Sequence, residues 1–390
     1  MILDKQDDLQ AFRKAVVTWL ADVLPVADAH GRGTAQENGV AFQKWWMAEK
    51  NKVGLATPHW PKEFGGADLS LAHQIIISDE FARADAPFAG LFLVALNHIP
   101  TTLIAFGTDE QRARHLPGVA KGTIWCQGFS EPNAGSDLAS LRTRAVRDGD
   151  HYVINGQKIW SSMAMDADYC ILLTRTSTEG KKQQGITYFL LDMKTPGVEV
   201  RPIKQSNTRS HFGEMFLTDV RIPVENRVGE ENQGWTVAQA TLSAERGILA
   251  FELLERRWYA VLRFYRAAVK ADAAWLQDDE LRRQFVTLFA KMQAIRRQVR
   301  QVLKENVEGH QPGSLTPAFV KISYTTVYQD MAELMTRIGG LDGQTFHNPD
   351  DRVESGMLTY LESYGLTISA GSNEVMRNLI AERGLGLPRG

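Results

Sequence analysis

Three stretches of this 390-residue chain bring together residues whose types and spacing can do chemistry. In TISAGSNEVMRN, residues 367–378, Ser369, Ala370, Gly371 and Ser372 are small enough for the backbone to approach something flat or extended, such as a cofactor. Ala370 and Gly371 carry nothing that titrates, so an acid or base for that site has to stand elsewhere. In TLSAERGILAFELL, Glu245 follows Leu242 by three residues and precedes Leu249 by four, which on a helix puts its carboxylate on an apolar stripe. Partial desolvation there raises a carboxylate's pKa and strengthens it as a base. The same spacing also describes a salt-bridged or solvated helix glutamate. In WCQGFSEPNAGSD, residues 125–137, the Ser, Pro and Gly content describes either a plain polar turn or a loop whose backbone donors meet a ring system or a phosphate.

Two smaller clusters join these. Trp160, Ser161 and Ser162 lie where a strand holds an aromatic plane rigidly and presents hydroxyls beside it, although a strand tryptophan is also ordinary core. RIGGLDG has three glycines, Gly339, Gly340 and Gly343, which suit backbone N–H groups reaching a pyrophosphate or a simple turn between helices. There is no G-x-G-x-x-G after a strand, no P-loop and no H-E-x-x-H, so nicotinamide, nucleotide-hydrolysing and zinc-protease chemistries have no support. The nine histidines, His98 and His211 among them, are scattered without ligand spacing, and no metal site is expected.

The elements that must position these residues change character along the chain. Up to about residue 120, DLQAFRKAVVTWLADVL and SLAHQIIISDEFARADAP have helical periodicity, with GLATPHWPKEFGGADLS a loop between them. From about 124 to 222 the period becomes two: HYVINGQKIW, DYCILLTRT, GITYFLLDM, VEVRPI and GEMFLTDVRIP predict a compact β domain, with Asn155-Gly156 as a tight type I′ hairpin turn. From Gly234 helices return, the first predicted to exceed 30 residues, and the last begins near Asn373. The expected domains are 1–122, helical; 123–232, β; and 233–390, helical.

Composition sets the outer bounds. With 44% hydrophobic and 23% charged residues the chain has ample apolar surface for more than one core, and a net charge of -2 gives no reason to expect nucleic acid or an anionic membrane as a partner. No apolar stretch reaches the roughly 18 residues of a membrane span. Two cysteines, Cys126 and Cys170, make no disulfide framework. MILDKQDDLQAFRKAVV is charged from its first residues and lacks a signal-peptide core, so the expected location is cytoplasmic.

WCQGFSEPNAGSDLASLRTRA, INGQKIWSSMAMDADYCILLTRT, GEMFLTDVRIPVENRVGEENQGW, ERGLGLPR and, in the N-terminal half, LNHIPTTLIAFGTDEQRARHLPGVAKG together resemble the acyl-CoA dehydrogenase family, in the family's order and over nearly the whole chain. The resemblance implies an α+β multidomain fold: a helical N-terminal domain, a central β-barrel-like domain and a C-terminal four-helix bundle. It also implies FAD held near subunit interfaces of a tetramer and an electron-transfer flavoprotein as acceptor. By the resemblance, Gln127, Phe129 and Ser130 lie against the isoalloxazine, Trp160, Ser161 and Ser162 beside it, Gly339 and Gly340 serve an FAD contributed from a neighbouring subunit, and Ser372 and Glu374 contact the cofactor. Ser136, Arg246, Ala370 and Gly371 are assigned to the acyl-CoA.

The resemblance also locates the base. Medium-chain members carry a glutamate in the last loop, in a pattern like Y-E-G-T, where this chain has Ala370 before Gly371. Another branch, resembling isovaleryl- and long-chain acyl-CoA dehydrogenases, carries it in an E-R pair on the helix after the β domain, and Glu245-Arg246 match that pair. The implied reaction is removal of an acyl-CoA α-proton by Glu245, with hydride passing to flavin N5 to give a trans-2-enoyl-CoA, and the N–H of residue 370 serving the thioester oxygen. The R-x-x-F-G motif that the family carries after the long helix does not occur in the corresponding stretch, FYRAAVKADAAWLQDDELRRQF; Arg266 or Lys270 replaces its diphosphate contact, or a different subunit does. Expected assemblies are therefore a homotetramer or an α2β2 heterotetramer with a related subunit, and a branched or steroid-side-chain acyl group is the expected substrate class. A non-catalytic or half-site subunit, or a flavin oxidase or monooxygenase on the same fold, is the alternative.

Overall fold

The computed structural model describes residues 8–243, 248–309, 315–345 and 356–388. Five helices come first: α1 Leu9–Ala29, α2 Val40–Lys52, α3 Leu71–Arg83, α4 Leu93–Phe106 and α5 Asp109–Ala120. Among the described residues eight strands follow: β1 Trp125–Gly128, β2 Arg144–Asp148, β3 His151–Ser162, β4 Tyr169–Arg175, β5 Ile186–Asp192, β6 Val198–Ile203, β7 Phe212–Pro223 and β8 Arg227–Val228. Helices α6 Gly234–Ser243, α7 Ile248–Lys270, α8 Asp279–Val307, α9 Thr316–Ile338, the short α10 Gly340–Gly343, α11 Gly356–Ile368 and α12 Asn373–Gly384 complete the chain. The helix, sheet, helix order expected from periodicity is thus observed, with local signals at several ends. Asp8 caps α1 through its carboxylate to Gln10 N at 2.8 Å, and Thr108 and Gln111 form a reciprocal capping box on α5.

Packing divides the described residues into two compact units. The first joins 38–68 with 88–243; the second joins 8–37 and 69–87 with 248–388. The N-terminal helices are therefore shared out, α1 and α3 going with the C-terminal helices.

In the first unit the strands run in the order β6-β7-β3-β2-β4-β5-β8, with β1 added parallel to β4 in the register Trp125 to Tyr169 through Gly128 to Leu172. Strands β4 and β5 are buried on both faces and are accordingly apolar at most positions on either face, with Thr174 and Thr187 buried among them. Trp125, Ile171, Leu173, Tyr188 and Leu190 enter one core with Phe92, Ile99, Leu103 and Leu116 of the helical part, while Cys126, Cys170, Leu172, Phe189 and Leu191 enter the other with Tyr152, Ile154 and Met215. Both cysteines are buried free thiols.

One expectation fails here. Asn155-Gly156 makes no hairpin turn; β3 runs straight through it as a bulge against β7, with a register shift between Ile154 and Gly156. Asn155 exchanges hydrogen bonds with Asp219 on that strand, its Nδ2 donating to Oδ1 at 2.9 Å and its Oδ1 accepting from Asp219 N at 2.9 Å. Gly156 is there for close approach, since a Cβ would lie 2.7 Å from Thr143 Cα. The turn between β2 and β3 is instead made at Gly149, with φ +61°.

The second unit's core runs along α7, α8 and α9 through Phe251, Leu254, Trp258, Phe285, Met292, Tyr328 and Met331. An ion-pair network crosses it: Glu255, with no exposed surface, accepts from Arg296 and Arg300, and Arg300 also reaches Asp79 at 2.7 Å. Helix is described on both sides of residues 244–247, and those four positions of the single long helix expected from Gly234 lie outside the described residues. Among the described residues no helix is long and apolar enough to cross a membrane.

Candidate functional site

Within the first unit, β1 and β3 bring the two predicted clusters together. Residues 127–130 leave the end of β1, and β3 grips the two carbonyls that follow. Ile159 N donates to Ser130 O at 2.9 Å, and Lys158 Nζ donates to Phe129 O at 3.1 Å. Gly128 is fitted to the neighbouring strand β4, because a Cβ would sit 3.0 Å from both Cys170 Sγ and a Leu172 methyl. Phe129 packs edge-on to Tyr188 in the core, so the half-buried Gln127 and Ser130 stand on a rigid support.

Two polar groups at this place lack partners. Gln127 Nε2 and Ser161 Oγ are buried with no hydrogen-bond partner among the described residues. Buried donors are nearly always satisfied, so unpaired ones beside a segment predicted to hold a cofactor are what a ligand-supplied acceptor would explain. Trp160 stands out for the opposite reason. It is 55% exposed, although strand β3 buries nearby Lys158 and Ser161 completely. A register shift between Lys158 and Ser161 turns it outward at φ +60°, and its indole rests edge-on against Phe212 with centroids 6.0 Å apart. A large non-glycine residue held in the left-handed region is strained, and such strain collects at functional sites. Ser162, half-buried, follows it on the same strand, and Ser136 is exposed in the loop beyond Glu131.

Sequence reasoning missed the groups that hold this place together. Glu131 is buried; its two oxygens accept from Arg142 N at 2.6 Å and Thr143 N at 2.8 Å, and Lys158 Nζ, with no exposed surface, reaches it at 2.8 Å. Burial alone would raise the Glu131 pKa, but the Lys158 charge and hydrogen bond outweigh it and hold the carboxyl below its ordinary range. Burial in turn pushes Lys158 down against the attraction of Glu131. The signal available in the sequence was a lysine at an inward-facing position of an alternating strand.

In the second unit, Ala370 and Gly371 form the turn between α11 and α12, with φ +53° and +86°. Ala370 is exposed. Both ends of the turn are tied to α9: Lys321 Nζ donates to Thr367 O at 3.0 Å and Asn373 Oδ1 at 2.9 Å, and Asn373 Nδ2 donates to Thr325 Oγ1 at 3.0 Å. Burial lowers the Lys321 pKa to about 8, against the favourable charge of Glu374. Ser372 caps α12, its hydroxyl accepting from Val375 N at 3.3 Å. Glu374 is exposed beside Arg377, and its own backbone N–H and then the Ser372 hydroxyl hold its carboxyl below the ordinary range, the wrong direction for a base at neutral pH.

The glycines of RIGGLDG divide in role. Gly339 spends its N–H on Met335 O at 3.1 Å, and Cβ atoms on Gly339 and Gly343 would lie 2.6 Å from Gly343 Cα and 2.4 Å from Thr336 O, so both serve the tight turn after α9. Gly340, exposed and at φ +57°, has open space where a Cβ would stand, and its positive φ is what favours glycine there. Arg266 and Lys270 are exposed on the last turns of α7. Glu245 and Arg246 lie outside the described residues, bracketed by α6 and α7. Among the described residues no three His, Cys, Asp or Glu side chains are grouped to hold a metal ion.

Known proteins extend this picture along the whole chain. Family profiles described as acyl-CoA dehydrogenase N-terminal, middle and C-terminal domains match residues 6–123, 126–220 and 232–385. The acyl-CoA dehydrogenase IpdE1 of Mycobacterium tuberculosis is 37% identical over 395 residues, 98% of this chain and 98% of that protein. The solved structure of the Tcur3481-Tcur3483 steroid ACAD is 32% identical, with a TM-score of 0.84 over 100% of both chains. That of the ChsE4-ChsE5 complex from Mycobacterium tuberculosis is 29% identical, with a TM-score of 0.81 over 100% of both chains.

Proposed function

Because the chain belongs to the acyl-CoA dehydrogenase family of oxidoreductases, typically FAD-dependent, we propose that it carries out α,β-dehydrogenation of a bulky acyl-CoA with Glu245 as the α-proton base. The product is a trans-2-enoyl-CoA. FAD, when bound, supplies the two-electron acceptor that takes the β-hydrogen as hydride. The residues of this chain do the rest. Glu245 takes the proton, a role its E-R pair and apolar flanks suit, and Arg246 lies beside the acyl-CoA. The N–H of residue 370 stabilises the thioester oxygen as it gains charge; that group does not depend on the side chain, so alanine retains it. Ser136 and Gly371 complete the substrate contacts.

The observation that supports the cofactor assignment most is the pairing of an unsatisfied buried donor, Gln127 Nε2, with an indole displayed under backbone strain at Trp160. These fit an isoalloxazine: a flat ring takes the indole against it and offers carbonyl and nitrogen acceptors to the amide. Phe129, Ser130, Ser161 and Ser162 line the same stretch, and Gly340 with Gly339, Ser372 and Glu374 are assigned to the rest of the cofactor. An electron-transfer flavoprotein would be the partner that accepts the electrons.

Relatives bear on substrate and assembly. One similar structure is described as a steroid ACAD, which favours a steroid-side-chain acyl group, as does a small residue at 370 in place of a carboxylate. Two similar structures are named as pairs of proteins, and R-x-x-F-G is missing from the stretch after the long helix; both favour an α2β2 assembly with a related subunit over a homotetramer. Anaerobic titration of the flavin-loaded protein with straight, branched and steroid-side-chain acyl-CoAs tests the reading. Bleaching of the flavin with release of the 2-enoyl thioester is expected, fastest with the steroid-side-chain thioester. Flavin that none of these thioesters reduces contradicts it.

A further inference from the structure

The fully buried ammonium of Lys158 has no place in the reaction described above, yet it holds the backbone on which the flavin assignment rests. It spans from β3 to Phe129 O at 3.1 Å and Glu131 Oε1 at 2.8 Å, while Glu131 spends its remaining capacity on the N–H groups of Arg142 and Thr143. One carboxylate thus closes the 131–143 loop onto itself, and one lysine ties that closure to the carbonyl directly before Ser130. An ion pair this deep is a costly way to stabilise a sheet, since apolar residues of similar volume do as well or better. What the pair provides that apolar residues cannot is a directed hydrogen bond to one particular carbonyl.

We propose that Lys158, charge-balanced by Glu131, is a positioning residue for the flavin: it sets the peptide planes of Phe129 and Ser130 and thereby the orientation of Gln127 and Ser130 toward the ring. This rests on the flavin assignment made above. The geometry makes stability and flavin binding respond in opposite senses. In Glu131→Gln the lysine remains as a donor to Phe129 O but loses its counter-charge inside the sheet. In the double variant Lys158→Met, Glu131→Gln, no charge is buried but the donor is gone.

The test compares the three proteins, each purified in its native assembly, by thermal unfolding, FAD dissociation constant and the visible absorption bands of bound flavin. The double variant is expected to unfold at a temperature at or above that of Glu131→Gln, yet to bind FAD on the order of tenfold or more weakly than wild type, with shifted flavin bands. Glu131→Gln is expected to keep the wild-type bands. A double variant with wild-type affinity and spectrum overturns the inference, as does a loss of affinity that follows the melting temperature across the set. Failure of the double variant to fold overturns it too, because the pair would then be needed for the fold itself. If wild-type protein takes up no flavin in any assembly, it is the functional reading that fails; equal binding by wild type and double variant fails this inference alone.

Discussion

Two short backbone segments carry the proposed chemistry, residues 127–130 in one unit and 369–371 in the other, and each is held by a lysine. Lys158 is fully buried, meets a carboxylate and reaches one carbonyl. Lys321 is half-exposed, and its hydrogen bonds go to neutral oxygens, Thr367 O and Asn373 Oδ1. The first arrangement is charge-balanced inside a sheet where water cannot substitute for a lost partner. The second joins two helix ends at a surface turn, where water can. The difference teaches that a lysine clamp owes its stiffness to burial and counter-charge together, and that the turn at Ala370 is the more adjustable of the two segments.

Breaking the buried clamp should have the larger effect. Lys158→Met on its own leaves the Glu131 carboxylate buried and unpaired and should destabilise the protein by about 3–5 kcal/mol in chemical denaturation. Lys321→Met removes hydrogen bonds to neutral acceptors at a half-exposed site and should cost about 1 kcal/mol. Equal losses would erase the distinction between the two clamps.

The pH response sharpens the same comparison. The Lys321 pKa is lowered to about 8 in the folded chain and lies near 10.4 when unfolded, so between those values the unfolded chain binds more protons. Stability from this group is therefore fully present above the unfolded value and is lost as pH falls through about 8. Melting curves should show wild type gaining on Lys321→Met as pH rises from about 7.5 to about 9.5. A gap that narrows over that range would mean that the ammonium is not disfavoured by burial.

The smallest effect expected is at the turn itself. Ala370 is an exposed alanine at φ +53°, a conformation that costs an L-residue roughly 1–2 kcal/mol, of which glycine returns about half after its larger loss of chain entropy. Ala370→Gly should raise stability by up to about 1 kcal/mol, read from the midpoint of denaturant unfolding. A loss would mean that the methyl group makes contacts of its own.

Much of this was legible in the sequence, for identifiable reasons. Helices announced themselves by apolar spacing, as in α1, where Phe12, Val16 and Leu20 recur at four-residue intervals and are buried. The strands β4 and β5 were legible as short β-rich runs, but not as strands covered on both faces, which their packing between two cores decides. Asn155-Gly156 misled because a pair suited to a hairpin turn also suits a bulge, and only pairing with β7 decides between them. Trp160 was visible as a residue but not as an exposed one, since its orientation follows from a register shift that no local pattern encodes. Lys158 and Glu131 escaped notice because their partnership spans 27 positions and is made by folding alone. The bond from Gly339 N–H to Met335 O could not be read from RIGGLDG, since it is set by how α9 ends.

The central claim is that the catalytic carboxylate stands at Glu245 and not in the last loop, where Ala370 is found. Stopped-flow measurement of flavin reduction by a saturating acyl-CoA substrate, in wild type and Glu245→Gln, tests it most directly. The account predicts that the variant keeps its bound FAD while reduction slows on the order of 10³-fold or more. Reduction by Glu245→Gln at a rate near that of wild type would contradict it.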